Sequence, residues 1–234
     1  MNLLLFIQNE AGNVITRVTE APVSETVATM NIWDLALKGG WLMIPIALLL
    51  FIAIAILIER IFVIKKADKE DSTFMNRIKD YIHEGKIDSA INLCRMTDTP
   101  ISRMIEKGIS RLGRPMNDIL VAIENVGNIE VAKLEKGFPW VATTAAAAPM
   151  LGFLGTVTGM VRAFFAMANA GANVDISLLS SGIYEALVTT VAGLVVGIIA
   201  LLSYNYLVSQ VNRAVNKMET RSMEFMDLLN EPTK

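Results

Sequence analysis

Three polar side chains stand close together in an apolar stretch near the C-terminal end of the sequence. Residues 183–208 contain Glu185, Thr189 and Thr190 among alanine, leucine, valine, isoleucine and glycine. At 100° per residue, Thr189 is about 40° from Glu185 around a helix, and Thr190 is about 140° away. A carboxylate and hydroxyls that face a cavity between helices can hold water and relay an ion. The spacing therefore predicts a polar, pore-lining face on which Thr190 flanks Glu185 and Thr189.

A second apolar stretch, residues 138–167, carries Thr156. Counted from the outer ends of the two predicted helices, Thr156 and Thr190 differ in depth by only about 3 Å. Hydroxyls at one level on neighbouring helices would form a polar ring if the chain assembles around a centre. The alternative is that a threonine bonds to a carbonyl of its own helix. We expect that bonding for Thr143, Thr144 and Thr158.

Two charged residues lie near the outer ends of these stretches. An ionisable side chain inside a span costs about 2.5–3.5 kcal/mol, so it normally faces a cavity or a partner. Arg162 either extends to the interface or pairs with Glu185. Glu185 is the candidate ion-pathway residue, and its alternative role is that of an interfacial anchor.

The composition excludes several classes of protein. Of the 234 residues, 53% are hydrophobic and 19% are charged, and the mean hydropathy is +0.47, which is typical of an integral membrane protein. The net charge of −2 gives no indication of nucleic-acid binding. One cysteine and one histidine exclude an intrachain disulfide and a Cys/His metal cluster. We find no catalytic nucleophile-and-base set or phosphate loop, so we expect no enzyme, no cofactor and no metal site.

The elements that position the polar residues are three predicted spans. We expect an all-α integral membrane protein with three transmembrane helices and long helical cytoplasmic extensions, assembling as a ring. The predicted segments are an N-terminal periplasmic or interfacial segment (1–40), a first transmembrane helix (41–64), a cytoplasmic helical domain (65–137), a second transmembrane helix (138–167), a periplasmic loop (168–182), a third transmembrane helix (183–208) and a cytoplasmic C-terminal helix (209–234).

The orientation follows from the lysines and arginines in the connections. Residues 66–137 hold twelve of them, whereas residues 1–40 hold two and residues 168–182 hold none. The tail after residue 208 holds four. We therefore expect a multi-pass protein of a bacterial inner membrane, with a periplasmic N-terminus and a cytoplasmic C-terminus.

The three spans differ in the size of their side chains. The first is almost entirely large and aliphatic, which favours contact with lipid. The other two contain small residues, which let helices approach closely. The predicted packing residues are Gly152, Gly155, Gly159, Gly193 and Gly197. Pro149 predicts a kink, and residues from 115 into the second span predict one long helix, kinked near Pro139.

Two motifs carry a family resemblance: "APMLGFLGTVTGMVRAF" at residues 148–164 and "GIYEALVTTVAGLVVGIIALLSYN" at residues 182–205. Together with the three-span layout, they resemble the MotA/TolQ/ExbB proton channel family, and three spans are closer to its ExbB and TolQ members than to MotA. The resemblance covers most of the chain. Thr189 and Arg162 depart from it, since relatives commonly have a small residue and a neutral residue there.

The resemblance implies a motor subunit driven by the proton-motive force. It implies a homopentamer around a dimer of an ExbD- or TolR-like single-span protein, whose aspartate enters the pore, and a TonB-like energy transducer that energises outer-membrane transport. Glu185, Thr190 and Thr156 match the polar pore residues. The alternatives are a TolQ-like role in envelope maintenance and a non-conducting membrane scaffold. Proton versus sodium, the cargo and the direction of rotation are left open.

Overall fold

The computed structural model describes residues 39–68, 73–169 and 176–230. The predicted N-terminal segment up to residue 38 and residues 170–175 of the predicted loop at 168–182 lie outside these ranges. Within them the chain forms seven helices: α1 Met43–Ala67, α2 Phe74–His83, α3 Ile87–Thr97, α4 Pro100–Ile109, α5 Met116–Leu134, α6 Phe138–Asn169 and α7 Ile176–Asn230.

Three of these helices are long and apolar enough to cross a membrane by length and composition. They are α1 with a mean hydropathy of 2.7, α6 with 1.5, and α7 from Leu179 onward with 2.4 over their most apolar windows. Helix α1 begins and ends two to three residues after the predicted first span. Large apolar side chains such as Ile44, Phe51 and Phe62 are exposed on α1, as expected for a helix that faces lipid.

Helix α7 is one continuous helix of 55 residues. It therefore joins the predicted third span and the predicted C-terminal helix without a break. It also begins seven residues before residue 183, so that Glu185 lies inside the helix, more than two turns from its first residue. One rigid element thus extends from the polar residues to the far end of the molecule.

The last turns of α7 pack against α2–α5 in a bundle outside the spans. Its core is apolar, with Ile78, Ile105, Ile123 and Phe225 all fully buried. Gly85, at φ +70°, separates α2 from α3. Helix α4 begins with a capping box in which Thr99 and Ser102 bond to each other's backbone N–H groups.

The chain between the bundle and the second span does not form one long helix, contrary to the prediction. Helix α5 ends at Leu134, and Gly137 at φ +90° precedes α6. Pro139 is the second residue of α6, where a missing N–H breaks no intrahelical hydrogen bond. The change of direction is therefore made by the left-handed glycine and not by the proline.

Hydrogen bonds and ion pairs connect α1, α4 and α5 where the bundle meets the spans. The buried side chain of Arg60 in α1 donates a hydrogen bond of 3.0 Å to the carbonyl of Lys133 at the end of α5. In α5, Glu130 is 3% exposed and accepts bonds of 2.7 Å from Arg103 and Lys133. Burial by itself would raise the pKa of Glu130, but these hydrogen bonds and the two positive charges outweigh it and lower the pKa. The contacts tie α1, α4 and α5 together.

Candidate functional site

The polar residues of the spans lie along the contact between α6 and α7. The buried positions of α6 recur every three or four residues, which puts them on one stripe. A Cβ atom added at Gly152 would lie 3.1 Å from the carbonyl oxygen of Thr189, and one at Gly159 would lie 2.9 Å from Cβ of Ala186. The two antiparallel helices therefore touch almost backbone to backbone.

The glycines of α7 meet the same stripe from the other side. A Cβ added at Gly193 would lie 2.9 Å from Cα of Gly152, and one at Gly197 would lie 2.8 Å from Cδ of Pro149. All five glycines predicted to pack helices lie at this contact, namely Gly152, Gly155, Gly159, Gly193 and Gly197. Pro149 lies within α6, which continues past it, and its ring packs on Gly197.

Thr190 makes a side-chain hydrogen bond that joins α7 to α6. Its hydroxyl donates to the carbonyl oxygen of Gly152 at 3.0 Å, and it also lies 3.2 Å from the carbonyl oxygen of Ala186 in its own helix. The absence of a side chain at Gly152 opens its carbonyl to the neighbouring helix. The sequence predicts a polar role for Thr190 but gives no sign of this acceptor.

Thr189 is buried between the two helices. It is 1% exposed, and a Cβ added at Gly155 would overlap its side chain. Its hydroxyl donates to the carbonyl oxygens of Glu185 at 3.1 Å and Ala186 at 2.9 Å. In the single chain, Thr189 thus fills the space that Gly155 leaves.

Thr156 is level with this region. Gly155 lies opposite Thr189, so Thr156 lies at the height of about residue 188, roughly 3 Å along the axis from Thr190. The offset has the size expected from the sequence but the opposite sense, since Thr156 lies nearer the outer end of the helix pair than Thr190 does. Thr156 is half-buried, and its hydroxyl donates to the carbonyl of Phe153 at 2.6 Å.

Three other threonines bond only within their own helix, as the sequence indicates. Thr143 donates to the carbonyl of Pro139, Thr144 to that of Trp140, and Thr158 to those of Leu154 and Gly155, over 2.7–3.2 Å. Thr156 also bonds only within α6, so it differs from these three threonines in its level along the helix, whereas Thr190 differs from them in its bond across to α6.

Glu185 and Arg162 form an ion pair of 3.3 Å between Oε1 and Nη1. Of the two roles considered for Arg162, the structure has the pair. The glutamate side chain is 29% exposed and the arginine side chain 57%. Both groups therefore remain partly open on the surface of the helix pair.

A contact with the chain before α1 completes this end of the site. A Cβ added at Gly40, which has φ +68°, would overlap Oε1 of Glu185. Since Gly40 precedes the first residue of α1 by three positions, Glu185 lies at the level where the first span begins. Sequence reasoning missed Gly40, although the adjacent glycines 39 and 40 before an apolar helix were a visible signal.

The positions of the acidic and hydroxyl side chains in α6 and α7 limit how this chain can carry an ion. Glu185 is the only acidic residue between residues 138 and 169 or between 176 and 208. It lies near one end of the spans, and the level of Thr156 and Thr190 offers hydroxyls only. These hydroxyls can solvate an ion or a protonated group, but they supply no carboxylate to carry a proton through the middle of the membrane.

Comparisons with known proteins identify the family of this chain. Residues 96–220 match the profile of the MotA/TolQ/ExbB proton channel family, a range that includes all the polar residues above. The chain is 30% identical to the protein ExbB-like 1 of Synechocystis sp., over 77% of this chain and 72% of that one. It is 28% identical to the Tol-Pal system protein TolQ of Haemophilus influenzae, over 79% of this chain and 87% of that one.

A third relative is the ExbB homolog of Methanothermobacter thermautotrophicus, which is 28% identical over 69% of this chain. The chain spans 57% of the length of that relative. The profile covers more than half of the chain, including all of α6 and most of α7, so this multi-pass membrane protein belongs to the MotA/TolQ/ExbB proton channel family.

Proposed function

We propose that this chain is an ExbB-like motor subunit of a bacterial inner membrane. It assembles as a homo-oligomeric ring, a pentamer, around the spans of an ExbD-like partner dimer. Proton flow through this complex drives a TonB-like transducer, which energises transport across the outer membrane. The hydrogen bond from Thr190 to the Gly152 carbonyl, level with Thr156 inside a glycine-packed helix pair, is the observation that carries the proposal.

The hydroxyls and the ion pair have separate roles in this proposal. Thr156 and Thr190 surround an aspartate that the partner brings to their level inside the membrane, because this chain has no carboxylate at that level. Protonation of that aspartate removes its charge and lets the partner dimer rotate inside the ring. The ion pair of Glu185 with Arg162 holds the outer end of α7 against α6.

The orientation is part of the same proposal. The chain from residue 66 to residue 137, which includes the bundle of α2–α5, carries twelve of the 21 lysines and arginines, which favours the cytoplasmic side. The N-terminus and the connection between α6 and α7 then face the periplasm. In this orientation, Glu185 lies at the periplasmic end of its span.

A TolQ-like role in envelope maintenance is the second candidate. It is favoured by the similarity to the Haemophilus influenzae TolQ protein, which extends over 79% of this chain. The two roles share the ring, the single-span partner and the ion pathway. They differ in which partner the ring accepts.

The assembly is tested by native mass spectrometry of the detergent-purified chain, alone and co-expressed with an ExbD-like or a TolR-like protein. We expect a closed homo-oligomer that captures a smaller number of partner chains. Preference for the ExbD-like protein supports the ExbB-like role, and preference for the TolR-like protein supports the alternative. A monomer or dimer that ignores both partners would overturn the proposal and leave a scaffold role.

A further inference from the structure

A cavity of about 230 Å³ lies between the last turns of α1 and the part of α7 at residues 206–217. The two helices run in the same direction, so residues that follow one another on α1 face residues that follow one another on α7. Three cationic side chains line the cavity, Lys65 from α1 and Arg213 and Lys217 from α7, against a single acidic one, Asp68. The cavity therefore has an excess of positive charge.

The polarity of the lining changes in one direction along the helices. Ile61 and Leu207 line the end nearer the spans, together with Tyr206, which is 46% exposed. Lys65 and Arg213 follow further along their helices, and Lys217 bonds to Asp68 at the far end. The lining is therefore apolar at the end nearer the spans and cationic at the other end. A phospholipid has the matching distribution of polarity, because its apolar acyl chains join a charged headgroup.

The depth of the cavity matches the boundary of a bilayer. From Met43 to Lys65, helix α1 rises roughly 33 Å, and the hydrocarbon core of a bilayer is about 30 Å thick. Lys65 is thus expected at headgroup level when α1 crosses the membrane. Tyrosine is a residue enriched at this level, which agrees with the position of Tyr206.

The cations are available to a ligand. Lys65 and Arg213 are exposed, and neither forms an ion pair with another residue of the described ranges, whereas Lys217 pairs with Asp68. Basic pockets between spanning helices at the membrane surface are suited to anionic headgroups. We infer that this cavity is a specific binding site for the phosphate headgroup of an anionic phospholipid in the leaflet next to the bundle.

The test is lipid retention by the full-length chain. The protein is purified in detergent, phosphatidylglycerol or phosphatidylcholine is added, and the bound lipid is measured by native mass spectrometry. We expect the unaltered chain to retain phosphatidylglycerol in preference to phosphatidylcholine. The double variant K65Q/R213Q should lose affinity for phosphatidylglycerol by about fivefold for each cation removed, or about 25-fold in all.

Two further variants keep the result interpretable. K66Q/K136Q removes two exposed cations near the same boundary that do not line the cavity, and it should retain phosphatidylglycerol. K65R/R213K keeps both charges and should also retain it. Circular dichroism checks that each variant keeps its helix content.

Three outcomes would overturn the inference. They are an equal loss in K66Q/K136Q, unchanged retention in K65Q/R213Q, and displacement of the lipid by inorganic phosphate alone, which would identify a site for the free anion. The inference depends on the chain spanning a membrane but not on the ring or on ion transfer. Loss of lipid with intact partner capture, or the reverse, therefore separates it from the proposed function.

Discussion

Thr190 is the residue whose hydroxyl joins the two glycine-packed helices, and this gives a prediction at the scale of one atom. Thr190→Val keeps the shape of the side chain but removes the donor to the Gly152 carbonyl. We expect the free energy of unfolding to fall by about 0.6–1 kcal/mol, the usual contribution of a hydrogen bond between membrane helices. Thermal unfolding of the purified protein in detergent measures the change.

Thr158→Val is the matched control for this substitution. It removes the same hydroxyl from a threonine that bonds to carbonyls of its own helix. An equal loss of stability in the two variants would show that the cross-helix bond contributes nothing of its own.

Glu130 gives a prediction about pH. Because the folded state lowers the pKa of this carboxyl, the ionised form favours folding. The contribution is fully present above the unfolded pKa of about 4.3 and is lost as the pH falls through the lower folded pKa. Glu130→Gln should remove it and destabilise the bundle by about 1–3 kcal/mol at neutral pH.

The measurement for Glu130 is a series of thermal unfolding curves between neutral and acidic pH. The melting temperatures of the parent chain and the E130Q variant should converge as the pH drops below 4. Glu124→Gln, on the exposed side of the same helix, should behave as the parent chain does. A constant difference between E130Q and the parent at every pH would contradict the assignment.

At the scale of elements, the contact of α6 with α7 depends on the absence of side chains. Gly193→Ala adds one methyl group whose Cβ would lie 2.9 Å from Cα of Gly152, and backbone atoms cannot rotate away. We expect a loss of about 1–3 kcal/mol from overpacking and a lower melting temperature. Val191→Leu adds one methylene on the exposed face of α7 and should change little; a comparable loss there would indicate a general intolerance of added volume.

The elements also show which parts of the fold a sequence can predict. The three spans and the glycine stripe follow from hydropathy and from the spacing of small residues, both of which are local patterns. The break before α6 was misplaced, because Pro139 fits a first helical turn and Gly137 makes the turn instead. No local pattern indicates the burial of Arg60 or the contact of Gly40 with Glu185, since each depends on a residue far away in the chain.

At the scale of the whole molecule, the number of carboxylates in the spans limits what one chain can do. Within the spans, the chain has hydroxyls at the level of Thr156 and Thr190, whereas the two acidic residues, Glu59 in α1 and Glu185 in α7, lie toward opposite ends. We therefore expect liposomes that contain the chain alone to leak protons no faster than protein-free liposomes under a pH gradient. Adding the single-span partner should produce proton flow, and a partner whose membrane aspartate is replaced by asparagine should not.

The same assay separates the motor from the scaffold. In the complex with the partner, Thr156→Ala combined with Thr190→Ala should reduce proton flow severalfold, because the aspartate loses the hydroxyls that solvate it. Thr143→Ala combined with Thr158→Ala removes the same number of hydroxyls from residues that bond within α6, and it should leave the flow close to that of the parent complex. Full proton flow through the chain without its partner would contradict the proposal that the partner supplies the proton-carrying aspartate. Full proton flow through the T156A/T190A complex would show that these two hydroxyls are not part of the ion pathway.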